Sequence, residues 1–388
     1  MADIPSSPLE SLTLDRLRRR HSVKWRHYAA DVLPVWVAEM DTPLAEPIRE
    51  VLREAVEAGD TGYATDCGYA EAFCGFASDR YGWSLDPSVP ILVGDVMGGV
   101  VAALDAVSRP GDRVVISTPV YPPFYSFVGR AGRKVVASPL ADTGAGLRLD
   151  PDRLDADLAG ASVYLMCNPH NPAGHVLTRE ELIAVADTAE RHGVTVISDE
   201  IHAPLTMPGE RHIPFTSIDH PAAARAFTLH SASKAWNLAG LKAALLIPGP
   251  AAEVSDLPDD LWAAAGLFGA LAGRAAFAEC VDWLDEVRTG LDHNRTLLAA
   301  LLAERLPEVG YRPPQATYLT WLDLRAYGLG ADAADVLLEK GRLGVHNGTS
   351  FGAEGAGFVR LNIATSRAVL TEAVERMARA LDRPASAA

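Results

Sequence analysis

The chain has 388 residues, of which 48% are hydrophobic, so it can bury a large core and form more than one structural unit. Its formal net charge of −15 argues against nucleic acid or an anionic membrane surface as the main partner, because both attract basic patches. The longest apolar stretch, residues 261–273, is shorter than the roughly 20 residues that span a bilayer. The N-terminus lacks the basic-then-apolar order of a secretion signal, so we expect a cytoplasmic protein.

The first 45 or so residues contain no clear helix or strand. Two aromatic segments, 25–28 and 34–36, predict an arm that packs elsewhere on the protein. The region also carries a basic run, which we interpret as a solvated helix face rather than a nucleic-acid-binding arm. This run consists of Arg16, Arg18, Arg19, Arg20, Lys24 and Arg26.

Short apolar runs alternate with helical patterns between about residues 90 and 250. Continuous apolar runs suit strands that are buried on both faces, as in a mainly parallel sheet. The helix over residues 178–192 illustrates the alternation, because Thr178 and Glu181 have capping-box spacing and Gly193 provides a stop. This region therefore predicts an α/β domain. The expected strands occupy residues 91–93, 113–117, 134–138, 162–166, 194–198, 226–230 and 243–247.

The pattern changes beyond residue 250. Long helical stretches run to about residue 305, short strands follow near 318–324 and 358–363, and a last helix begins after Ser366. This order predicts a smaller α+β domain. We divide the chain into an N-terminal arm or small-domain segment (1–45), a large domain (46–285) and a C-terminal small domain (286–388).

The four cysteines are scattered along the sequence without the spacing of metal ligands. They are Cys67, Cys74, Cys167 and Cys280. We expect buried free thiols and no metal site, since an unpaired cysteine usually behaves as a small hydrophobic residue.

Polar and reactive side chains follow four of the predicted strands, in segments 118–124, 167–174, 199–202 and 231–234. In open α/β sheets, ligands bind beyond the carboxyl ends of the strands, so we expect these segments to meet at one edge. Lys234 stands out because the chain has few lysines and many arginines. A buried lysine amine can form a Schiff base with an aldehyde, whereas arginine stays protonated.

One short match has a competing interpretation. The Ser-x-x-Lys spacing of residues 231–234 also occurs in serine acyl enzymes such as β-lactamases. That class additionally requires Ser-Asp-Asn and Lys-Thr-Gly, and neither tripeptide occurs in this sequence.

The order of four motifs is more specific. Asn-Pro-x-Asn-Pro-x-Gly at 168–174, Asp-Glu at 199–200, Ser-x-Ser-Lys at 231–234 and Val-Arg-Leu-Asn at 359–362 resembles the fold-type I pyridoxal phosphate (PLP) enzymes of the class I and II aminotransferase family. The likeness covers about residues 20–380. Segments 20–25, 120–124, 168–172 and 199–202 resemble the cystathionine β-lyase branch, also called C-S lyases. The resemblance implies the PLP-dependent transferase fold of type I, with a large domain and a smaller one.

The resemblance also implies roles around the cofactor ring. Lys234 would form the Schiff base with PLP and move the Cα proton of the substrate. Asp199 would pair with the pyridinium nitrogen, and Asn171 would donate to the phenolic oxygen and contact the substrate. Tyr121 would stack on the ring, and His202 would take a supporting role beside the cofactor.

The cofactor phosphate requires hydrogen-bond donors and positive charge. The resemblance places Ser231, Ser233 and Lys242 among its ligands, with Lys242 replacing an arginine that is common in related aminotransferases. The backbone amides of Val96 and Met97 would add the positive end of a helix dipole.

Two further residues complete the implied site. Arg360 would bind the α-carboxylate of an amino acid substrate through its planar fork. Tyr63 would reach the phosphate of a neighbouring subunit, which implies a homodimer with a shared active site. The implied reaction is cleavage of cystathionine or another cysteine S-conjugate to thiol, pyruvate and ammonia.

Transamination is the alternative reaction, because both reactions begin with loss of the Cα proton and no motif separates them. A non-catalytic PLP-binding regulator is a second alternative. In such regulators this fold follows a DNA-binding domain, and the region before Trp25 is too short for one.

Overall fold

The computed structural model describes residues 7–144 and 146–382. The chain begins with short elements, namely helices α1 (Leu14–Leu17) and α2 (Val23–Arg26) and strand β1 (Leu33–Pro34). Strand β1 runs parallel to residues 343–344 near the other end of the chain. The N-terminal region is thus an arm that packs against a distant part of the sequence, as predicted.

The basic run of the arm does not form one solvated face. Arg16, Arg18 and Arg19 are exposed, but the side chain of Lys24 is 0% exposed and lies 2.8 Å from the carboxylate of Asp41. The prediction of a solvated helix face is therefore wrong for Lys24. Helix α2 has only a single turn and forms no long solvated face. The side chain of Lys24 instead packs inward against the segment after β1, which carries Asp41.

Two longer helices follow the arm, α3 (Glu46–Ala58) and α4 (Tyr69–Tyr81). Each ends at a glycine in the left-handed conformation, Gly59 and Gly82, where a side chain would be strained. Both helices pack against a later helix at residues 267–279.

All seven predicted strands are present and form one sheet, with ends that differ from the prediction by at most one residue. The elements of this region, in chain order, are β2 (Ile91–Val93), α5 (Val96–Val107), β3 (Arg113–Thr118), α6 (Pro123–Arg130), β4 (Lys134–Pro139), β5 (Ala141–Asp142), β6 (Leu147–Arg148), α7 (Pro151–Leu158), β7 (Val163–Cys167), α8 (Arg179–His192), β8 (Thr195–Asp199), α9 (Pro221–Ala224), β9 (Phe227–His230) and β10 (Ala244–Pro248).

The sheet has the strand order β2-β10-β9-β8-β7-β3-β4, and only β10 runs antiparallel to its neighbours. Side chains of each strand alternate between two separate cores, because successive residues point to opposite faces. Val114 and Ile116 pack with α5 and α6, whereas Val115 packs with α7 and α8. Helices on both faces explain why the strands read as continuous apolar runs.

Helix α8 has the predicted capping box between Thr178 and Glu181, and it ends at Gly193. The helical prediction fails just after residue 250, where residues 251–266 contain only a 3-10 turn, Leu261–Ala264. The regular helices begin at Leu267, after Gly266.

The C-terminal elements are α10 (Leu267–Glu279), α11 (Val281–Arg305), β11 (Gly310–Tyr311), β12 (Leu319–Asp323), α12 (Ala333–Gly341), β13 (Leu343–Gly344), β14 (His346–Asn347), β15 (Phe358–Asn362) and α13 (Arg367–Leu381). Four of these strands form an antiparallel sheet with the order β11-β12-β15-β14. Helices α11, α12 and α13 pack together beside it, which gives the predicted α+β unit.

Of the cysteines, Cys74, Cys167 and Cys280 are buried and Cys67 is partly exposed; all four are free. Burial of Cys67 was therefore predicted wrongly. It has a positive φ of 53° in the turn before α4. Within the described residues, no helix combines the length and the apolar character needed to cross a membrane.

Candidate active site

A cavity of about 400 Å³ opens at the carboxyl ends of β3, β7, β8 and β9. The four polar segments singled out in the sequence all contribute to its wall, and so do His346 and Arg360 of the antiparallel sheet. The residues that matter for the chemistry are Asp95, Val96, Met97, Tyr121, Cys167, Asn171, Asp199, His202, Ser233, Lys234, Lys242, His346 and Arg360.

Lys234 lies in the turn that follows β9. Its Nζ donates a hydrogen bond of 3.4 Å to the carbonyl oxygen of Ala38. Burial, together with the positive charge of Arg360, lowers the pKa of Lys234 to about 8. A much larger fraction of this amine is neutral near pH 7 than for an exposed lysine, so it can act as a nucleophile and a base.

Asp199 is the last residue of β8, and 4% of its surface is exposed. Its Oδ1 accepts a hydrogen bond of 3.1 Å from the amide of Ile201. Burial raises the pKa of Asp199 to about 7, and none of the described cationic side chains forms an ion pair with it. A buried carboxylate without an ion-pair partner can accept a hydrogen bond from a protonated nitrogen of a ligand.

Glu200 forms a buried polar cluster behind Asp199 that was not found from the sequence. Its Oε2 lies 2.9 Å from His212 Nε2 and 3.1 Å from His230 Nε2, and its Oε1 accepts a bond of 2.9 Å from the hydroxyl of Ser198. Burial alone would raise the pKa of Glu200, but the two histidines lower it to about 2. Glu200 therefore stays ionised within this cluster, next to the strand end that carries Asp199.

Arg360 lies in β15, with 2% of its surface exposed. Its Nη1 donates to Asn171 Oδ1 at 3.0 Å, and its Nη2 donates to the carbonyl of Trp36 at 3.1 Å. Burial lowers the pKa of Arg360 to about 10, which still leaves it charged at neutral pH. A fixed guanidinium at the cavity wall can bind a carboxylate through two parallel hydrogen bonds.

His346, which the sequence did not indicate, is the third partner of this guanidinium. Its Nδ1 lies 3.1 Å from Arg360 Nη2. An arginine can only donate, so Nδ1 accepts and the ring carries its proton on Nε2. Burial and the charge of Arg360 lower the pKa of His346 to about 3, which keeps the ring neutral.

His202 and Tyr121 face the cavity as predicted. Burial and the charges of Lys234 and Arg360 lower the pKa of His202 to about 3, and its Nδ1 has no hydrogen-bond partner among the described residues. Burial raises the pKa of Tyr121 to about 12, so its phenol stays protonated. The Tyr121 amide donates to the carbonyl of Asn171 at 3.1 Å, which ties the two segments together.

The far end of the cavity is suited to an anion. Val96 and Met97 are the first two residues of α5, so their amides lie where a helix leaves its N–H groups unpaired. Lys242 Nζ lies nearby, 2.9 Å from Asp95 Oδ2. Asp95 caps α5 by accepting a bond of 2.8 Å from the amide of Gly98, which explains an aspartate at this position.

Two predicted residues lie outside the cavity wall. The hydroxyl of Ser231 donates to the carbonyl of Ala243 at 2.7 Å and accepts from the amide of Ser233 at 3.0 Å. Ser231 thus supports the turn that carries Lys234, and Ser233 is the serine at the wall. A direct contact between Ser231 and the phosphate stays a prediction. Tyr63 is 83% exposed and does not reach the cavity of its own chain.

The residues present fit PLP on the basis of two observations. The buried, unpaired carboxylate of Asp199 matches the protonated ring nitrogen, and the Lys242 amine with the N-terminus of α5 matches the phosphate. Lys234, the candidate for the aldehyde, lines the same cavity, as does Tyr121, whose ring can stack.

Comparisons with known proteins agree with this fit. The family described as aminotransferase class I and II matches residues 39–377. A protein of Mycobacterium tuberculosis (strain ATCC 25618 / H37Rv) named "Putative cystathionine beta-lyase" is 46% identical over an alignment of 405 positions, which covers 97% of this chain and 98% of that protein. Cystathionine beta-lyase PatB of Bacillus subtilis (strain 168) is 37% identical, over 93% of this chain and 96% of PatB.

Among solved structures, cystalysin from Treponema denticola, whose crystal structure contains PLP, has a TM-score of 0.90 at 27% identity. The match covers 97% of this chain and 99% of that chain. The chain therefore belongs to the class I and II aminotransferase family and has the type I fold of its PLP-dependent enzymes.

Proposed function

We propose that the protein is a PLP-dependent carbon-sulfur β-lyase. With water, it cleaves a cysteine S-conjugate such as cystathionine to a thiol, pyruvate and ammonia. One observation carries the proposal: Lys234 and Asp199 line the same cavity. Lys234 has an amine of lowered pKa, and Asp199 has a buried carboxylate without an ion-pair partner among the described residues. The names of the relatives are what favours the lyase reaction over the alternatives.

When bound, PLP supplies an aldehyde that takes up the substrate amino group and a ring that withdraws electrons from the Cα carbon. Asp199 would accept a hydrogen bond from the ring N–H and so keep that nitrogen protonated. Tyr121 would pack on the ring, and Asn171 would donate to its phenolic oxygen. Ser233, Lys242 and the first amides of α5 would hold the phosphate.

The chain's own groups then position the substrate and move its proton. Arg360 binds the α-carboxylate, which fixes the Cα–H bond relative to Lys234. Lys234 Nζ takes the Cα proton, for which its lowered pKa makes it a base near neutral pH. Loss of the β-sulfur substituent as a thiol follows, and the remaining fragment is hydrolysed to pyruvate and ammonia.

Transamination is the alternative, since the same residues serve its first proton transfer. A difference of about 1.4 kcal/mol between the two later barriers changes the product ratio tenfold. The names of the two relatives at 46% and 37% identity favour the lyase. A non-catalytic regulator is disfavoured because the cavity brings together a base, a carboxylate-binding arginine and an anion site.

The proposal includes a homodimer in which Tyr63 enters the partner's site. Its support is the 83% exposure of this tyrosine, which has no role in its own cavity. The division into residues 1–45, 46–285 and 286–388 also belongs to the proposal, and it places the second boundary within α11. A cytoplasmic location stays a prediction from the sequence.

The test compares wild-type protein with Lys234→Ala, each supplied with PLP and L-cystathionine. The wild type is expected to show the visible absorbance of lysine-bound PLP and to release thiol and pyruvate. Lys234→Ala is expected to lose both. Lys340→Ala is the matched control, because Lys340 is exposed on α12. Full activity of Lys234→Ala would contradict the proposal.

A further inference from the structure

The segment of residues 36–42, here called the carbonyl segment, lies between β1 and α3 and contains no helix or strand. Four of its seven residues are buried and three are half-buried, so its carbonyl groups require partners that a sheet would otherwise provide. Side chains from elsewhere in the chain provide them. Arg360 donates to the carbonyl of Trp36, and Lys234 and Tyr318 donate to that of Ala38. Arg20 donates to the carbonyls of Met40 and Thr42, and Lys24 donates to that of Glu39. Asn362 donates to the carbonyls of Val37 and Glu39, and Asn237 donates to that of Met40.

Four of these donors come from two functionally different places. Arg360 and Lys234 belong to the candidate active site, at 3.1 Å from Trp36 O and 3.4 Å from Ala38 O. Arg20 and Lys24 belong to the N-terminal arm, in the motif that distinguished the lyase branch in the sequence. The carbonyl segment is therefore the physical connection between that motif and the reacting groups.

We infer that Arg20 and Lys24 are positioning residues for this enzyme. They fix the carbonyl segment, whose Trp36 and Ala38 carbonyls in turn orient the guanidinium of Arg360 and the amine of Lys234. The inference rests on the proposed function, because that proposal gives Arg360 and Lys234 their roles.

Lys24 holds the segment through a buried ion pair. Its Nζ lies 2.8 Å from Asp41 Oδ2 and 3.2 Å from the carbonyl of Glu39, while Trp25 Nε1 donates to Asp41 Oδ1 at 3.1 Å. The two charged side chains are 0% and 1% exposed. A pair this buried gains little net stability, because its desolvation is costly, so its main effect is to fix one geometry.

Arg20 binds two carbonyls of the segment with one side chain. Its Nη1 donates to Met40 O at 3.0 Å and its Nη2 donates to Thr42 O. The planar guanidinium can span both acceptors, whereas a lysine ammonium at the same place would be a single point donor. Arg20 therefore fixes the direction of the segment as well as its distance from the arm.

The expected consequence is a loss of alignment at the active site. Misplacing a reacting group by about 1 Å can cost up to 100-fold in rate. If the segment loosens, Arg360 loses an acceptor that orients its fork, and binding of a carboxylate weakens. Binding of PLP is expected to persist, since neither Arg20 nor Lys24 lies in the cavity wall.

The test uses the PLP-loaded protein and propionate, a carboxylate that has no amino group to react. The dissociation constant of propionate is read from its effect on the absorbance of bound PLP, alongside KM and kcat for L-cystathionine. Arg20→Gln is expected to weaken propionate binding about tenfold and to raise KM about tenfold. Each change corresponds to the loss of roughly one charge-assisted hydrogen bond. Arg18→Gln is the matched control, because Arg18 is exposed and its side chain has no hydrogen bond among the described residues.

A second variant distinguishes a loss of alignment at the active site from a simple folding defect. Lys24→Met combined with Asp41→Asn removes both buried charges, so neither is left alone in the core. It is expected to bind PLP and to show the same loss of propionate affinity as Arg20→Gln. Wild-type propionate affinity in both variants, even with a lowered melting temperature, would overturn the inference. A wild-type protein that binds no PLP would instead overturn the proposed function, and this inference with it.

Discussion

Arg360 Nη1 donates to Asn171 Oδ1 at 3.0 Å, across 189 residues of sequence. This bond joins β15 of the antiparallel sheet to the loop after β7 of the mainly parallel sheet. The amide oxygen orients the guanidinium together with the Trp36 carbonyl and His346 Nδ1, and the Asn171 amide nitrogen is left for the cofactor. The contact thus links the carboxylate site directly to the cofactor site.

Replacing Arg360 by glutamine is expected to raise KM for amino acid substrates roughly 100-fold, because a charge-assisted, bidentate contact is lost. Steady-state kinetics with L-cystathionine measures the change. Arg325→Gln is the control, since Arg325 is an exposed arginine of the same domain, 59% exposed and paired with Asp323. An unchanged KM in Arg360→Gln would remove Arg360 from the substrate site.

Capture of PLP by the apoprotein is expected to depend on pH with a midpoint near 8. Burial lowers the pKa of Lys234 to about 8, so the reactive neutral amine is already abundant above that pH. The rate constant of the absorbance change, measured from pH 6 to pH 10, reports the midpoint. A midpoint close to about 10.4, the value of an exposed lysine, would mean that the amine is not buried as described.

Asp199→Asn is expected to have opposite effects on stability and on catalysis. Burial raises the pKa of Asp199 to about 7, so the folded apoprotein favours the protonated carboxyl, and this carboxyl destabilises the fold as pH rises from about 4 through 7. The apo variant should therefore melt higher than the apo wild type at pH 8 and equally at pH 4. Turnover should fall at least about 100-fold, because the ring nitrogen loses its anionic partner. Equal melting temperatures at pH 8 would show that Asp199 is not the destabilising group.

Lys242→Gln is expected to weaken PLP binding about tenfold or more, because the phosphate loses a cationic side chain that lines the cavity beside the start of α5. Lys242→Arg should keep most of the affinity, since it retains the charge. Equilibrium titration of the apoproteins with PLP measures the affinities. If Lys340→Gln weakened PLP equally, the effect would be one of overall charge and not of a phosphate site.

The sequence predicted most of what positions the site. The inner strands were found because they are buried on both faces, which leaves an uninterrupted apolar run, whereas the edge strand β4 is only partly buried. Motifs at strand ends indicated Lys234, Asp199 and Asn171, and a motif within β15 indicated Arg360. The structure places all four at one cavity.

The missed features depend on contacts between distant segments. His346 lies in a two-residue strand with no periodic pattern, and Glu200 acquires its role only when His212 and His230 close around it. Lys24 looked like part of a solvated basic run, because nothing local indicates that Asp41 will neutralise it. The inward direction of the Ser231 hydroxyl likewise follows from the turn geometry and from the Ala243 carbonyl, not from residue spacing.

The most direct test of the central claim is product stoichiometry with L-cystathionine, measured with and without 2-oxoglutarate. A β-lyase predicts equal amounts of thiol and pyruvate, formed without the keto acid and not increased by adding it. Glutamate formed from 2-oxoglutarate, with no thiol released, would contradict the account and make the protein an aminotransferase.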